Sequence, residues 1–321
     1  MDNAPAIRAG GLLFVTLVIT TCTNRKRKPV SGALHVSDLP PADLLDFASE
    51  WAGRLSAALT LFPASQIYGG RAFQEATAAA EILDGRLMIV SAGLGLISGE
   101  ARVPPYSCTV LVDAPDSVGA RVSGEFSLPK WWKALSSVSP FQESLEAAAE
   151  EHQGLVCAAL SGSYVAMIAS DLLSLPDDMR ARLRIFTRTP LTKLAAELRP
   201  FVMPYDDRLD GLDSPLRGTR NDFAGRALRH FAEHVTSDGD LRSATEHAAA
   251  VSAALEGWRM AERFDRLRYD DDAMLALIRL HWDSEQGSTA RLLRSFRDNL
   301  GVACEQGRFA DLARTVRSER V

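Results

Sequence analysis

The sequence predicts an α/β protein: an open, mostly parallel sheet with helices on both faces, followed by a helical C-terminal domain. Continuous apolar runs at Leu12 to Cys22, Arg86 to Ile97 and Leu155 to Leu160 have the character of strands buried on both faces. Stretches with helical periodicity separate them, which implies crossover units. Beyond residue 239 no strand pattern remains.

Leu12 to Cys22 (LLFVTLVITTC) is the first expected strand. Its length and the preceding Arg8 also suit a signal-peptide core ending at a lipidated cysteine. Two details oppose that: Thr21 is larger than the small residue wanted there, and Arg25, Lys26, Arg27 and Lys28 follow, where positive charge resists translocation. A membrane span needs ~20 apolar residues. Next, Leu44, Leu45, Phe47, Trp51, Leu55 and Leu59 recur at helical spacing within residues 42–61, and a second helix is expected over 72–83. The run Arg86 to Ile97 (RLMIVSAGLGLI) is the second strand. Leu155 to Leu160 is the third, leading through Ser161-Gly162-Ser163 into a helix over 164–173. Two short strands are expected at Leu183 to Thr187 and Phe201 to Met203. A polar turn, Ser237-Asp238-Gly239-Asp240, then divides a domain of residues 1–239 from a helical accessory domain of residues 240–321. Helices are expected there over 244–268, 272–282 and 288–300, the last opened by Ser288 and closed by Gly301.

With 321 residues, 46% hydrophobic and 24% charged, the chain is long enough for a sizeable core. Its mean hydropathy of −0.04 leaves no surplus for a membrane bundle, so no membrane partner is expected. A net charge of −5 argues against holding nucleic acid by bulk charge, while leaving local basic patches open. Of 36 cationic residues only five are lysines, Lys26, Lys28, Lys130, Lys133 and Lys193. Cys22, Cys108, Cys157 and Cys304 are scattered and form no CxxC pair, which suits a reducing cytoplasm and indicates neither a zinc site nor a disulfide scaffold. His230 and His234 lie at i,i+4 without the glutamate of HExxH, so no metal and no organic cofactor is expected.

In an open parallel sheet, ligands bind beyond the carboxyl ends of the strands. Those ends are polar here: Thr20-Thr21-Cys22-Thr23-Asn24, Ser91-Ala92-Gly93-Leu94-Gly95 and Ser161-Gly162-Ser163-Tyr164. Thr21, Thr23, Ser91, Ser161 and Ser163 are candidates to bind a base or sugar, although small polar residues also simply make tight turns. Gly93-Leu94-Gly95 begins a dinucleotide fingerprint, but Ser98 stands where the third glycine belongs. There is no GxxxxGK[ST] and no GxSxG. Two loops complete the rim. Ile67-Tyr68-Gly69-Gly70-Arg71 precedes a helix, where Arg71 can meet an anion. Val103-Pro104-Pro105-Tyr106 holds an aromatic on a stiff backbone, either as a stacking face for a base or as a core residue.

The segments TTCTNRKR, IYGGRAF, LMIVSAGLGLI and VPPYSCTV together resemble a bacterial family with a Cys-Ser-type loop, an LYxSxxF segment, an (I/V)LSAxxGL strand and a proline–tyrosine loop. That family is similar to the base-processing domain of archaeosine synthase and, through it, to the uracil-DNA-glycosylase-like fold. The resemblance spans about residues 12–111, and it extends in size and fold class to bacterial phage-defence DNA glycosylases that remove glucosylated hydroxymethylcytosine. The GQDPYH and HPSP loops of uracil-DNA glycosylases are absent. What the resemblance implies is cleavage of an N-glycosidic bond of a modified base in phage DNA, leaving abasic sites. It places Asn24 in the strand-one loop and Tyr106, with Tyr68 nearby, at the rim. Base exchange or amidotransfer on a 7-deazaguanine-type nucleotide, and a noncatalytic DNA-binding role in a defence complex, are the alternatives.

Such cleavage needs donors for the departing base and a group that orients water. Asn24, Ser91 and Ser161 are candidates to donate to the base edge or a glucose hydroxyl, and Asp206 and Asp207, after an expected strand end, to orient water; the two aspartates also read as an exposed turn pair. Reaching a base in duplex DNA requires flipping it out. Arg217 and Arg220, with Arg226 and Arg229 beyond them, form a local basic stretch suited to the backbone, or a solvated arginine face. Arg291 and Arg294 share one face of the expected helix over 288–300, which reads as a recognition helix of winged-helix type or as an ordinary amphipathic helix.

Overall fold

A computed structural model describes residues 15–112, 114–237, 239–262 and 266–320. It confirms the fold class as α/β, built on a mostly parallel five-stranded sheet. Strands β1 (Leu17–Thr21), β2 (Arg86–Ser91), β3 (Gly95–Ser98), β4 (Val156–Ala159) and β5 (Leu183–Phe186) are ordered β3-β2-β1-β4-β5. All neighbours pair in parallel except β2 with β3. Leu12 to Phe14 of the expected first strand lie outside the described residues.

Within β1, Leu17 and Ile19 face one apolar cluster and Val18 the other, so the strand is buried on both sides. The first cluster is covered by α1 (Leu44–Ser56), α3 (Leu128–Val138), α4 (Leu145–Glu151) and α5 (Gly162–Ser174). Phe47, Trp51 and Leu55 of α1 lie four apart on one buried face. The second cluster is covered by α2 (Arg71–Ile82), α6 (Phe223–His234) and α7 (Ala244–Ala254). Gly225 of α6 sits against α2 so closely that a Cβ there would lie 2.4 Å from the Ala72 carbonyl oxygen.

Several expectations are corrected. Arg86 to Ile97 is not one strand: Gly95, at φ +88, turns the chain so that Val90 pairs with Leu96 and Ser91 with Gly95 in a hairpin. The GxG is therefore a turn with no phosphate loop. Phe201 to Met203 forms no strand beyond a single bridge from Val202 to Ile185, because Pro200 precedes it and holds the chain in a 3-10 turn. The helix expected over 244–268 ends at Ala254. The chain divides between Ala261 and Glu262 rather than at 239/240, since Val251 and Leu255 belong to the core of the first unit.

The second unit holds α8 (Asp271–His281), α9 (Thr289–Asp298) and α10 (Gln306–Ser318) around Met274, Ile278, Leu292, Phe296 and Phe309. It also carries a parallel pairing of Leu267–Arg268 with Val302–Ala303, which the sequence reading missed. That pair is too short and of the wrong sense for the antiparallel wing of a winged-helix module. Among the described residues no helix is long and apolar enough to cross a membrane.

Candidate functional site

Chain order places β1 at the centre of the sheet: β2 and β3 extend it on one side, β4 and β5 on the other. The carboxyl ends of β1 and β4 therefore flank the switch point, where crevices open in such sheets. A side-chain contact spans it: Cys22, one residue past β1, holds its Sγ 3.1 Å from the Tyr164 hydroxyl at the start of α5. Cys22 Sγ also accepts from the Ala92 amide at 3.4 Å.

Behind this contact runs a chain of buried hydroxyls. Tyr106 Oη lies 2.5 Å from Ser91 Oγ and 3.1 Å from Tyr68 Oη, and none of the three residues is exposed. Ser91 Oγ in turn accepts from the Leu94 amide at 2.9 Å. Gly93 makes room for the tyrosine, since a Cβ there would lie 2.7 Å from the ring. The carbonyls of the hairpin turn are satisfied by indoles: Trp51 donates to Gly93 at 2.7 Å and Trp131 to Ala92 at 2.9 Å. Burial pushes the hydroxyls of Tyr68, Tyr106 and Tyr164 above their ordinary range, so all three remain protonated and able to donate.

Over these rings sits Lys26. Its Nζ is 4.7 Å from the Tyr106 ring centre and 5.1 Å from that of Tyr68, and it donates to the Thr23 carbonyl at 2.5 Å. Among the described residues no carboxylate pairs with it. Burial lowers its pKa, against the opposing influence of Cys22, Cys108 and Asp116. The loop carrying it is clamped to the segment before α2: Arg27 N donates to Ile67 O at 2.8 Å, Gly69 N to Arg25 O at 2.8 Å, and Thr23 Oγ1 to Gly69 O at 2.5 Å. Lys26 and Tyr68 are thus opposite one another in a one-residue antiparallel bridge.

Asp116 is a carboxylate whose charge acts on Lys26. Ser37 donates to it from both its amide and its hydroxyl, Ser107 donates from its hydroxyl, and His35 Nδ1 lies 3.6 Å away. Burial works against its charge, but these bonds prevail and hold its carboxyl below the usual range.

The expected site residues fall into three groups. Ser91, Tyr106 and Tyr68 are brought together, but as a buried chain; Tyr106 offers no stacking face, because its ring is packed between Gly93, Trp51 and Tyr68. Thr21 ends β1 and Thr23 and Asn24 follow it, with Asn24 exposed, while Ser161 and Ser163 bond each other at 3.1 Å before and within the first turn of α5. A third group is committed elsewhere. Asp206 caps the turn at 207–210 and pairs with Arg208, and Asp207 pairs with Arg188. Neither carboxylate is a free base. Arg71 does not await an anion, since Glu75 of its own helix binds it at 2.8 Å.

Arg226 and Arg229 leave the expected basic stretch. Arg226 is fully buried between Asp222 and Asp210, and Arg229 bridges Glu75 and Glu233. Arg217 and Arg220 remain exposed just before α6, whose start abuts that of α2, and Arg25 and Arg27 are exposed on the strand-one loop. Arg291 and Arg294 are exposed on α9, above buried Leu292, Leu293 and Phe296. His230 accepts or donates to Tyr205 Oη at 2.8 Å, and burial lowers its pKa to about 4, the behaviour of a core histidine.

Lys26, Cys22, Tyr164 and Asp116 were not singled out from sequence. One signal was available for Lys26: in a chain that uses arginine for nearly every cation, a lysine stands directly after a strand that ends at the expected rim. No family model, no curated protein and no solved structure matches this chain.

Proposed function

We propose that this chain is a DNA glycosylase that cleaves the N-glycosidic bond of a modified base, in keeping with glucosylated hydroxymethylcytosine in phage DNA, on a sheet of the uracil-DNA-glycosylase-like kind. The observation that carries the reading is the Lys26 ammonium, without a carboxylate partner, held over two buried tyrosines at the carboxyl edge of the sheet. As the C1′–N bond breaks, negative charge grows on the departing base, and a cation without a competing carboxylate stabilises it most where water is excluded. The Thr23 carbonyl and the two tyrosine rings hold Lys26 in place without neutralising it. Asn24, two residues away and exposed, orients the attacking water. Thr23, Ser161 and Ser163 offer hydroxyls to an attached sugar. Arg25, Arg27, Arg217 and Arg220 supply backbone contacts for a flipped nucleotide. The four buried free thiols suit a reducing compartment such as the cytoplasm.

The test is to incubate purified protein with glucosylated phage DNA and with unmodified DNA, then assay released base and alkali-labile sites. Base release from the glucosylated DNA, with the unmodified DNA slower by orders of magnitude, is the expected result. No release from either substrate overturns the reading.

A further inference from the structure

We propose that the Lys26 amine is a covalent nucleophile, which forms an imine with the C1′ aldehyde of an abasic deoxyribose and cuts the strand after the base has gone. This inference rests on the glycosylase reading for its substrate and adds a second reaction at the same site. Three features of the geometry point to it. The amine has no carboxylate partner to hold it as an ion, unlike the Arg226 guanidinium of the same unit, which Asp210 and Asp222 hold. Its one hydrogen bond is donated to the Thr23 carbonyl, which leaves the lone pair of the neutral amine unengaged. The clamped loop fixes it beside the carboxyl edge of the sheet, where the sugar must lie. Withdrawal from water also lowers the proton affinity of the amine, which raises the share of the neutral, nucleophilic form. Among the described residues the candidate carboxylates are all bound to arginine or to serine, so an amine answers the need for a nucleophile better than a carboxylate-activated water.

The chemistry balances without any oxidant or cofactor. The nitrogen lone pair adds to the aldehyde carbon, the resulting carbinolamine oxygen takes a proton from solvent, and water leaves, giving a protonated imine. That cation acidifies C2′; its proton passes to water while the C3′–O bond breaks, and the 3′-phosphate departs with the bonding pair. A second water then hydrolyses the unsaturated imine and returns the amine. The products are an unsaturated aldehyde end and a 5′-phosphate end.

The experiment uses the full chain and an oligonucleotide carrying a preformed abasic site, with sodium borohydride to reduce the imine to a stable amine. A covalent protein–DNA adduct is expected, and mass spectrometry of the digested adduct should place it on Lys26. Lys26→Arg, which keeps the charge but forms no imine, should lose both adduct and strand cleavage while melting normally. Because the wild-type adduct is mapped directly, the result does not depend on that variant folding. An adduct on another lysine or at the N-terminal amine, or no adduct, overturns the proposal. Base release from glucosylated DNA is scored in parallel. Base release without an adduct removes the covalent lysine and keeps the glycosylase, whereas an adduct without base release does the reverse.

Discussion

Lys26 and Arg226 are both cations drawn away from bulk water, and the fold treats them in opposite ways. Arg226 is surrounded: Nε binds Asp222 at 2.6 Å, Nη2 lies 2.7 Å from Asp210, and its other N–H groups reach the carbonyls of Leu216 and Thr219 at 2.8 Å. Lys26 has one carbonyl and two aromatic faces. A planar guanidinium with five donors can be fully satisfied in place, whereas a point-like ammonium left among rings and thiols keeps part of its reactivity. Full satisfaction fits an architectural role for Arg226, and incomplete satisfaction is what the proposed chemistry asks of Lys26.

The sharpest way to break this contrast is to truncate each cation. Arg226→Met leaves Asp222 and Asp210 buried without their partner and should cost about 3–5 kcal/mol in denaturant unfolding. A loss as small as that of an exposed arginine would remove Arg226 from its architectural role. Tyr106→Phe comes next, because it strands Tyr68 Oη in the core and deprives Ser91 of one partner; about 1–3 kcal/mol is expected by the same measurement. Lys26→Met should be nearly neutral for stability while abolishing base release. A strongly destabilised Lys26→Met would return the lysine to the class of Arg226.

The contrast also has a pH signature. The folded chain disfavours protonated Lys26, so it gives up that proton at lower pH than the unfolded chain does. Between the lowered value and the ordinary one of 10.5, the unfolded state binds more protons, and stability contributed by this group rises with pH. Comparing wild type with Lys26→Met across that alkaline window should show the rise only in wild type. The smallest effect concerns the exposed arginines. Arg217→Gln with Arg220→Gln should leave stability within about 0.5 kcal/mol, and should reduce the log–log salt slope of DNA binding by about 2. An unchanged slope would leave them as a solvated face.

The sheet was legible because strands buried on both faces carry unbroken apolar runs, and those at β1, β2 and β4 are of that kind. The hairpin hidden in Arg86 to Ile97 was not, since a run that doubles back stays apolar throughout, and only the positive φ of Gly95 marks the turn. Tyr106 read equally as stacking face or core from its loop, and the matter is decided by Gly93 lying against its ring. The partners of Arg226 and Arg229 include Asp222 and Glu233 at helical spacing, a pairing that sequence does display. Lys26 was hidden for another reason. It stands in a run of four positive residues, and its distinction arises from pairing with Tyr68, a contact between distant parts of the chain that no local pattern records.

That pairing has a consequence of its own. Adjacent residues of an extended segment point to opposite sides, so the bridge between Lys26 and Tyr68 selects which of Arg25, Lys26 and Arg27 stands over the tyrosines. A slip of one residue would present a guanidinium instead, which carries the charge but forms no imine. The proposed imine chemistry therefore depends on alignment as well as composition: deleting Arg25, which would bring Arg27 opposite Tyr68, should abolish adduct and strand cleavage as Lys26→Arg does, with Lys26 still in the sequence.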